Sequence, residues 1–205
     1  INQSEEKYRD IIIKLKAKYR ELNSKFEMNK SSYEGIESII ELQFENIERR
    51  FQDFEEFMEK NEYSEVIHIV KAIDTMIEHM SVVIEETPDL VLLSTKVIPK
   101  RIEQITDTYE EMKKDNYPLD YLNIDYNIEE SLKNVNKIFD RIKVLNLDDC
   151  MFELRTMLEY LDSIFNEFDK EKIARKEYED EKGNFEEKLD KIASVVKDVY
   201  GQIDD

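Results

Sequence analysis

The sequence has no tryptophan, one cysteine, three glycines and three prolines in 205 residues. Each shortage excludes something. A lone cysteine, Cys150, rules out an intrachain disulfide framework and suits a reducing compartment. So few glycines and prolines cannot punctuate the many turns of a sandwich, a barrel or a compact mixed fold. Gly35, Gly183 and Gly201 stand far apart, which leaves no glycine-rich loop to cradle a phosphate. No stretch approaches the ~20 apolar residues that a membrane span requires. Positive charge is also scarce: 30 Lys and Arg face 49 Asp and Glu, for a net charge of −19. Nucleic-acid affinity rests on neutralising phosphates with Lys and Arg, so such a partner is repelled, and an anionic membrane surface is disfavoured on the same ground. The chain opens on Ile1 with no methionine and no signal pattern, which leads to the expectation of an internal piece of a longer protein.

What is present is helical pattern. Apolar residues make up 40% of the chain and are spread along its whole length, enough to offset the entropy of ordering it. They recur every three or four positions, as they must to share one helix face. The first seam reads Tyr8, Ile12, Leu15, Tyr19, Leu22, Phe26. The second reads Ile40, Phe44, Ile47, Phe51, Phe54, Met58, and the third Val66, Val70, Ile73, Ile77, Met80, Ile84. Breaks are expected at "NKSSYEG" (29–35) and "KNEYSE" (60–65), the latter with Ser64 as N-cap. In "TPDLVLLSTKVIPK" (87–100) each proline suits the first turn of a helix, so a short helix from Pro88 and a new one from Pro99 are expected.

The pattern then repeats. A fourth seam follows at Ile98, Ile102, Ile105, Tyr109, Met112 and Asn116. Moving the second and third seams by 84 positions gives Ile124, Ile128, Ser131, Val135, Ile138, Ile142, then Cys150, Leu154, Met157, Leu161, Ile164, Phe168. The connection "KNEYSE" falls on "VLNLDD" (144–149), an agreement that heptads alone do not require. The expected fold class is all-α: tandem antiparallel three-helix coiled-coil bundles forming an elongated rod. Residues 1–86 make the first repeat, 87–97 a proline-bounded joint with a short helix, and 98–182 the second repeat. Residues 183–205 carry a further seam (Phe185, Leu189, Ile192, Val196, Val199, Ile203) and read as the first helix of a truncated third repeat.

Chemistry finds little support. Glu65-x-x-His68 resembles half of a di-iron helix motif, but a bundle site needs two such motifs and two further glutamates. The other histidine, His79, is about 16 Å further along the helix, and neither lies on a seam. Cys150 takes the seam place of Val66 with no histidine near it in sequence, which reads as a buried apolar thiol. The aromatic residues are core material at heptad spacing. Charge is uneven, with eight basic and three acidic groups in 7–30 against three basic and ten acidic in 34–62, and is read as solvated helix faces. No catalytic residue, cofactor or metal site is expected.

One corner carries more information. In "YEEMKKDNYPL" (109–119), Asn116 suits the left-handed conformation that ends a helix, and Pro118 cannot continue one. The order of Pro99, Tyr109, Glu111, Met112, Asn116, Tyr117 and Leu119 resembles a corner of the septation ring formation regulator EzrA family, with Asn116 where that family has glycine. Downstream, "LDSIFNEFDKEKIAR" (161–175) resembles the family in Ile164, Phe165, Phe168, Asp169, Glu171 and Ala174. It departs from the family at Leu158, where an aspartate would fall; the first repeat keeps such a pair in Ile73-Asp74. The resemblance spans most of the chain.

The resemblance implies a cytoplasmic rod of spectrin-like repeats behind an N-terminal membrane anchor, acting without enzymatic activity at the bacterial division septum. It implies the tubulin-like FtsZ and other division proteins as partners, and control of Z-ring assembly as the role. Two rivals are a spectrin-like cytoskeletal spacer with no division role and a metal-dependent helical-bundle enzyme. Self-association through 185–203 is expected as well, because that seam has no following helices to cover it. The tandem reading predicts a radius of gyration well above the ~17 Å of a compact chain of this length. Small-angle scattering near the compact value would mean that the helices fold back into one bundle.

Overall fold

Residues that recur at steps of three and four lie on one face only if the backbone is helical, and the computed structural model, which describes residues 3–203, is all-α. Its helices are α1 (Gln3–Met28), α2 (Glu37–Glu59), α3 (Tyr63–Leu92), α4 (Ile98–Lys114), α5 (Ile124–Lys143) and α6 (Cys150–Ile203). Short 3-10 turns at Lys30–Tyr33 and Asp120–Leu122 sit in two of the connections, and no strand occurs among the described residues. The chain forms two compact units. One comprises residues up to Ile102 with Tyr126–Leu158, and the other Glu103–Asp125 with residues from Glu159 onward. The repeats drawn by seam divide the chain differently.

In the first unit α1, α2 and α3 pack on one another. All six residues of the second seam are buried, as are Ile12, Leu15, Tyr19, Leu22 and Phe26 of the first, with Tyr8 half-buried. The third seam differs at one place: Ile69 is buried and Val70 half-buried. The ring of Tyr19 meets Phe44 and Phe51 edge-on at 5.7 and 5.9 Å, and its hydroxyl donates to Glu48. Edge-to-face pairs of this kind contribute ~0.5–1.5 kcal/mol beyond the area they bury. Part of the uneven charge falls at this contact. Basic α1 meets acidic α2 through Arg9 and Lys16 on Glu55, and the ammonium of Lys30 reaches Glu41 at 2.7 Å. Exposed pairs add only ~0.2–1 kcal/mol each, so their main effect is to favour this pairing of helices over others.

The expected break at the proline-rich joint is absent. Pro88 lies inside α3, and α3 passes through a π turn at Leu93–Val97 directly into α4, with Pro99 as its second residue. The reason is visible in the backbone accounting. A proline inside a helix has no N–H for the carbonyl four residues back, here that of Ile84. The hydroxyl of Tyr33, 2% exposed, donates to that carbonyl at 2.6 Å. Ahead of Pro99 the helix widens, with the N–H of Ile98 reaching Leu93 O, while Ser94 Oγ and Thr95 Oγ1 donate to the carbonyls of Leu90 and Val91. The Tyr33 hydroxyl supplies the donor that Pro88 lacks, and the π turn carries the helix on to Pro99. Ser64 likewise falls inside the first turn of α3, whose N-cap is Glu62 with no side-chain capping bond.

The connections at 60–65 and 144–149 share their geometry. Asn61 and Leu145 both adopt left-handed backbone, φ 55° and 60°. In each, the next N–H reaches back five residues, Glu62 to Phe57 O and Asn146 to Arg141 O, and the left-handed N–H reaches back three, to Met58 O and Ile142 O. These are paired Schellman bonds at positions 84 apart. Leucine is a costly choice for this conformation, at roughly 1–2 kcal/mol, and Leu145 is also buried at 6% exposure. Further along, Ile124, Ser131, Val135, Ile138 and Ile142 are buried on α5, and Cys150, Leu154, Leu161, Ile164 and Phe168 on α6.

Removing the Tyr33 hydroxyl leaves a buried carbonyl without a donor, so Tyr33→Phe should cost about 1–3 kcal/mol in denaturant melting. In a Pro88→Ala background the helix supplies its own N–H, and the same change should cost clearly less; equal costs would break the link between the two residues. Among the described residues Thr87 Oγ1 is a buried side-chain oxygen with no hydrogen-bond partner. Thr87→Val keeps the shape and is expected to raise stability by about 1 kcal/mol.

Candidate functional site

Helix α4 must end where its seam ends, and the corner that follows is tied to α6 within the second unit. Asn116 has φ 62°, the left-handed value. Its N–H bonds to Lys113 O at 3.0 Å and the N–H of Tyr117 to Met112 O at 3.1 Å, the same Schellman pair as in the other two connections. The last carbonyls of a helix still need donors and carry partial negative charge. Arg175 of α6 meets both needs: its guanidinium donates to Asp115 O at 2.6 Å and stacks 3.5 Å from the centroid of the Tyr117 ring. A second tie lies close by, where Tyr121 Oη donates to Glu171 Oε1 at 2.8 Å. Burial of that hydroxyl and its bond to Glu171 push the Tyr121 phenol up to about 12, although most of the ring is exposed.

Of the sequence-selected residues, Met112 and Leu119 are buried at 3% exposure and floor the corner. Tyr117 is half-buried beneath Arg175, and Asn116 is exposed. Tyr109 is half-buried with the Lys113 ammonium 5.7 Å from its ring, while Glu111 points to solvent. Pro99 stands apart at the start of α4, about 15 Å of helix from Tyr109. The geometry is that of a braced helix end. Arg175 was not singled out in the sequence, because nothing local marks a basic residue 60 positions away as the cap of this helix.

The other surface is the far half of α6. Phe185, Leu189, Ile192, Val196, Val199 and Ile203 are all exposed, from 45% to 70%, as is every described residue from Lys176 on. The stripe keeps the 4-3-4-3-4 spacing of the α1 seam, which in the first unit is covered by α2 and α3. The residues weighed for chemistry are not brought together. His68 and His79 are exposed, and Cys150 is buried with its thiol pushed up by burial and its Sγ 3.5 Å from Asn146 O. Among the described residues no group of three His, Cys, Asp or Glu could hold a metal ion, and no helix is long and apolar enough to cross a membrane.

The family model described as "Septation ring formation regulator, EzrA" matches residues 1–205. Similar curated proteins carry the name septation ring formation regulator EzrA. One from Geobacillus sp. (strain WCH70) is 25% identical over 195 residues, covering 95% of this chain and 34% of its own length. One from Geobacillus kaustophilus is 21% identical over 97% of this chain and 35% of its own, and one from Staphylococcus epidermidis 22% identical over 82% and 30%. The chain thus spans about a third of the length of the curated relatives it matches. No solved structure matches it.

Two outcomes are expected at the corner. Asn116→Gly should leave stability unchanged or raise it slightly, whereas Asn116→Val should cost about 1–2 kcal/mol because a branched side chain opposes left-handed backbone. The Tyr121 phenol gives a pH test. In the unfolded chain it loses its proton near 10, and in the folded chain near 12, so its contribution is complete below about pH 10 and is lost as pH rises through about 12. Tyr121→Phe should flatten the fall in stability over that window; an unchanged slope would remove Tyr121 from the brace.

Proposed function

Because the chain belongs to the septation ring formation regulator EzrA family, we propose that it is an internal segment of a membrane-anchored, non-enzymatic regulator of bacterial cell division. The match of the family model to all 205 residues carries this reading. The segment works as part of a cytoplasmic rod at the division septum, and the protein of which it is a part binds FtsZ and restrains or positions assembly of the septation ring. The tandem of two three-helix repeats, 1–86 and 98–182, with a third opening at 183, is the organisation we assign to it. The repeated Schellman geometry at Asn61 and Leu145, 84 positions apart, supports that assignment. A net charge of −19 spread over long helices suits a soluble spacer that keeps other proteins at a set distance.

Co-sedimentation with FtsZ polymers tests the partner. Residues 1–205 are expected to pellet with FtsZ in the presence of GTP and to stay in the supernatant without it. If only a longer protein pellets, this segment is a spacer within the rod and the contact lies elsewhere. The bare stripe on α6 supports self-association through 185–203. Six large apolar side chains are each worth ~1.5–3 kcal/mol when fully buried, and charge repulsion is screened beyond ~10 Å at ordinary salt. Sedimentation equilibrium at high concentration should show association of 1–205 and a monomer for 1–182. Two monomers, with amides 185–203 still protected from exchange, would mean that the stripe is covered within its own chain.

A further inference from the structure

The connection between α1 and α2 touches more than the bundle it closes. Tyr33 donates to Ile84 O of α3 at 2.6 Å. Two residues on, Gly35 has φ 88°, and a Cβ placed there would lie 3.3 Å from Phe139 Cζ and 3.8 Å from its Cε1. Phe139 belongs to α5, and its ring also faces the Lys143 ammonium at 5.0 Å. All of these residues lie in the first compact unit. Glycine is required at position 35 on two counts: other residues rarely adopt that φ, and a side chain would press against the ring.

Between Ile84 and Pro99 runs the stretch where the α3–α4 helix is least supported by its own backbone. Two prolines offer no N–H, the turn Leu93–Val97 is wound as π, and hydroxyls of Ser94 and Thr95 occupy the carbonyls of Leu90 and Val91. Prolines, π turns and inserted side chains are where helices bend. A helix interrupted in this way has no internal reason to keep one angle. The α1–α2 connection holds α3 ahead of the interruption through Tyr33 and meets α5, which follows it in the chain, through Gly35.

We propose that residues 33–35 are a clamp that holds the α1–α3 bundle and α5 in one arrangement, and that residues 84–99 become a hinge when the contact with Phe139 is lost. The test uses spin labels at Gln52 and Asn134, both exposed, in a Cys150→Val background; valine already fills the equivalent place at Val66. Double electron–electron resonance should give a narrow distance distribution for the parent. Phe139→Ala should broaden it about twofold, as one populated arrangement gives way to several, with helical circular dichroism unchanged. A folded Phe139→Ala protein with the parent's mean and width overturns the clamp. Should that variant lose its helical signal, Gly35→Ala reads the same contact by pushing the ring away. A shifted mean distance then supports the clamp, and an unshifted one overturns it.

Discussion

A helix that contains proline must find a donor for the carbonyl it orphans, and much of the first unit is arranged around one such carbonyl. Ile84 O takes part in a buried hydrogen bond, and Pro88 cannot serve it. The donor comes from Tyr33, 51 positions earlier, which places the α1–α2 connection at this end of the bundle. That placement in turn buries Ile36 and puts the Tyr33 ring edge-on to Phe26 at 5.2 Å. Continuity of α3 into α4 therefore depends on a contact outside the helix. Where the backbone is locally deficient, tertiary structure supplies the missing bond, and the propensity argument that predicts a break is overridden.

The same logic separates what was legible in the sequence from what was not. Seams were legible because burial follows periodicity: nearly every residue at the 4-3 steps of α1, α2, α5 and the packed half of α6 is buried. Ser131 breaks the seam chemically yet is buried at 6% exposure, so position outweighs residue type there. The left-handed end of α4 was legible from Asn116 and Pro118, because both act through local backbone sterics. The equivalent end of α5 was not, since Leu145 gives no local hint of positive φ and is held there by burial at a cost. Tyr33, Arg175 and the π turn share one property. Each acts on a backbone group distant in sequence or on a mismatch between neighbouring turns, and neither leaves a periodic trace.

At the corner after α4, the residues that carry the family resemblance fall into two physical classes. Met112, Asn116 and Leu119 shape the turn and its floor, so any chain that ends a helix here would tend to choose their like. Tyr117 does something further: it offers a ring on which the Arg175 guanidinium can lie while it caps the helix. Stacked guanidinium groups keep their hydrogen-bonding edge free, which is why one arginine can serve a ring and a carbonyl together. Glu111 and Tyr109 have no such part in the brace: Glu111 is exposed, and Tyr109 is half-buried with the Lys113 ammonium over its ring.

Charge and apolar surface are both exposed along the far half of α6. From Lys176 onward no described side chain is buried, yet the segment remains helical to Ile203 across Gly183 and Gly201, each of which disfavours helix by ~1 kcal/mol relative to alanine. Two things sustain it. The costly nucleus of helix formation is already in place in the packed half, so each added residue need only propagate. Pairs such as Lys191 with Glu187 add a few tenths of a kcal/mol at i,i+4. Neither provides a margin comparable to burial of a seam. The stripe from Phe185 to Ile203 repeats the spacing that α2 and α3 cover on α1, and all six of its side chains are exposed. The stability of this half-helix is therefore set by propagation from the packed half and by surface pairs rather than by burial of a seam.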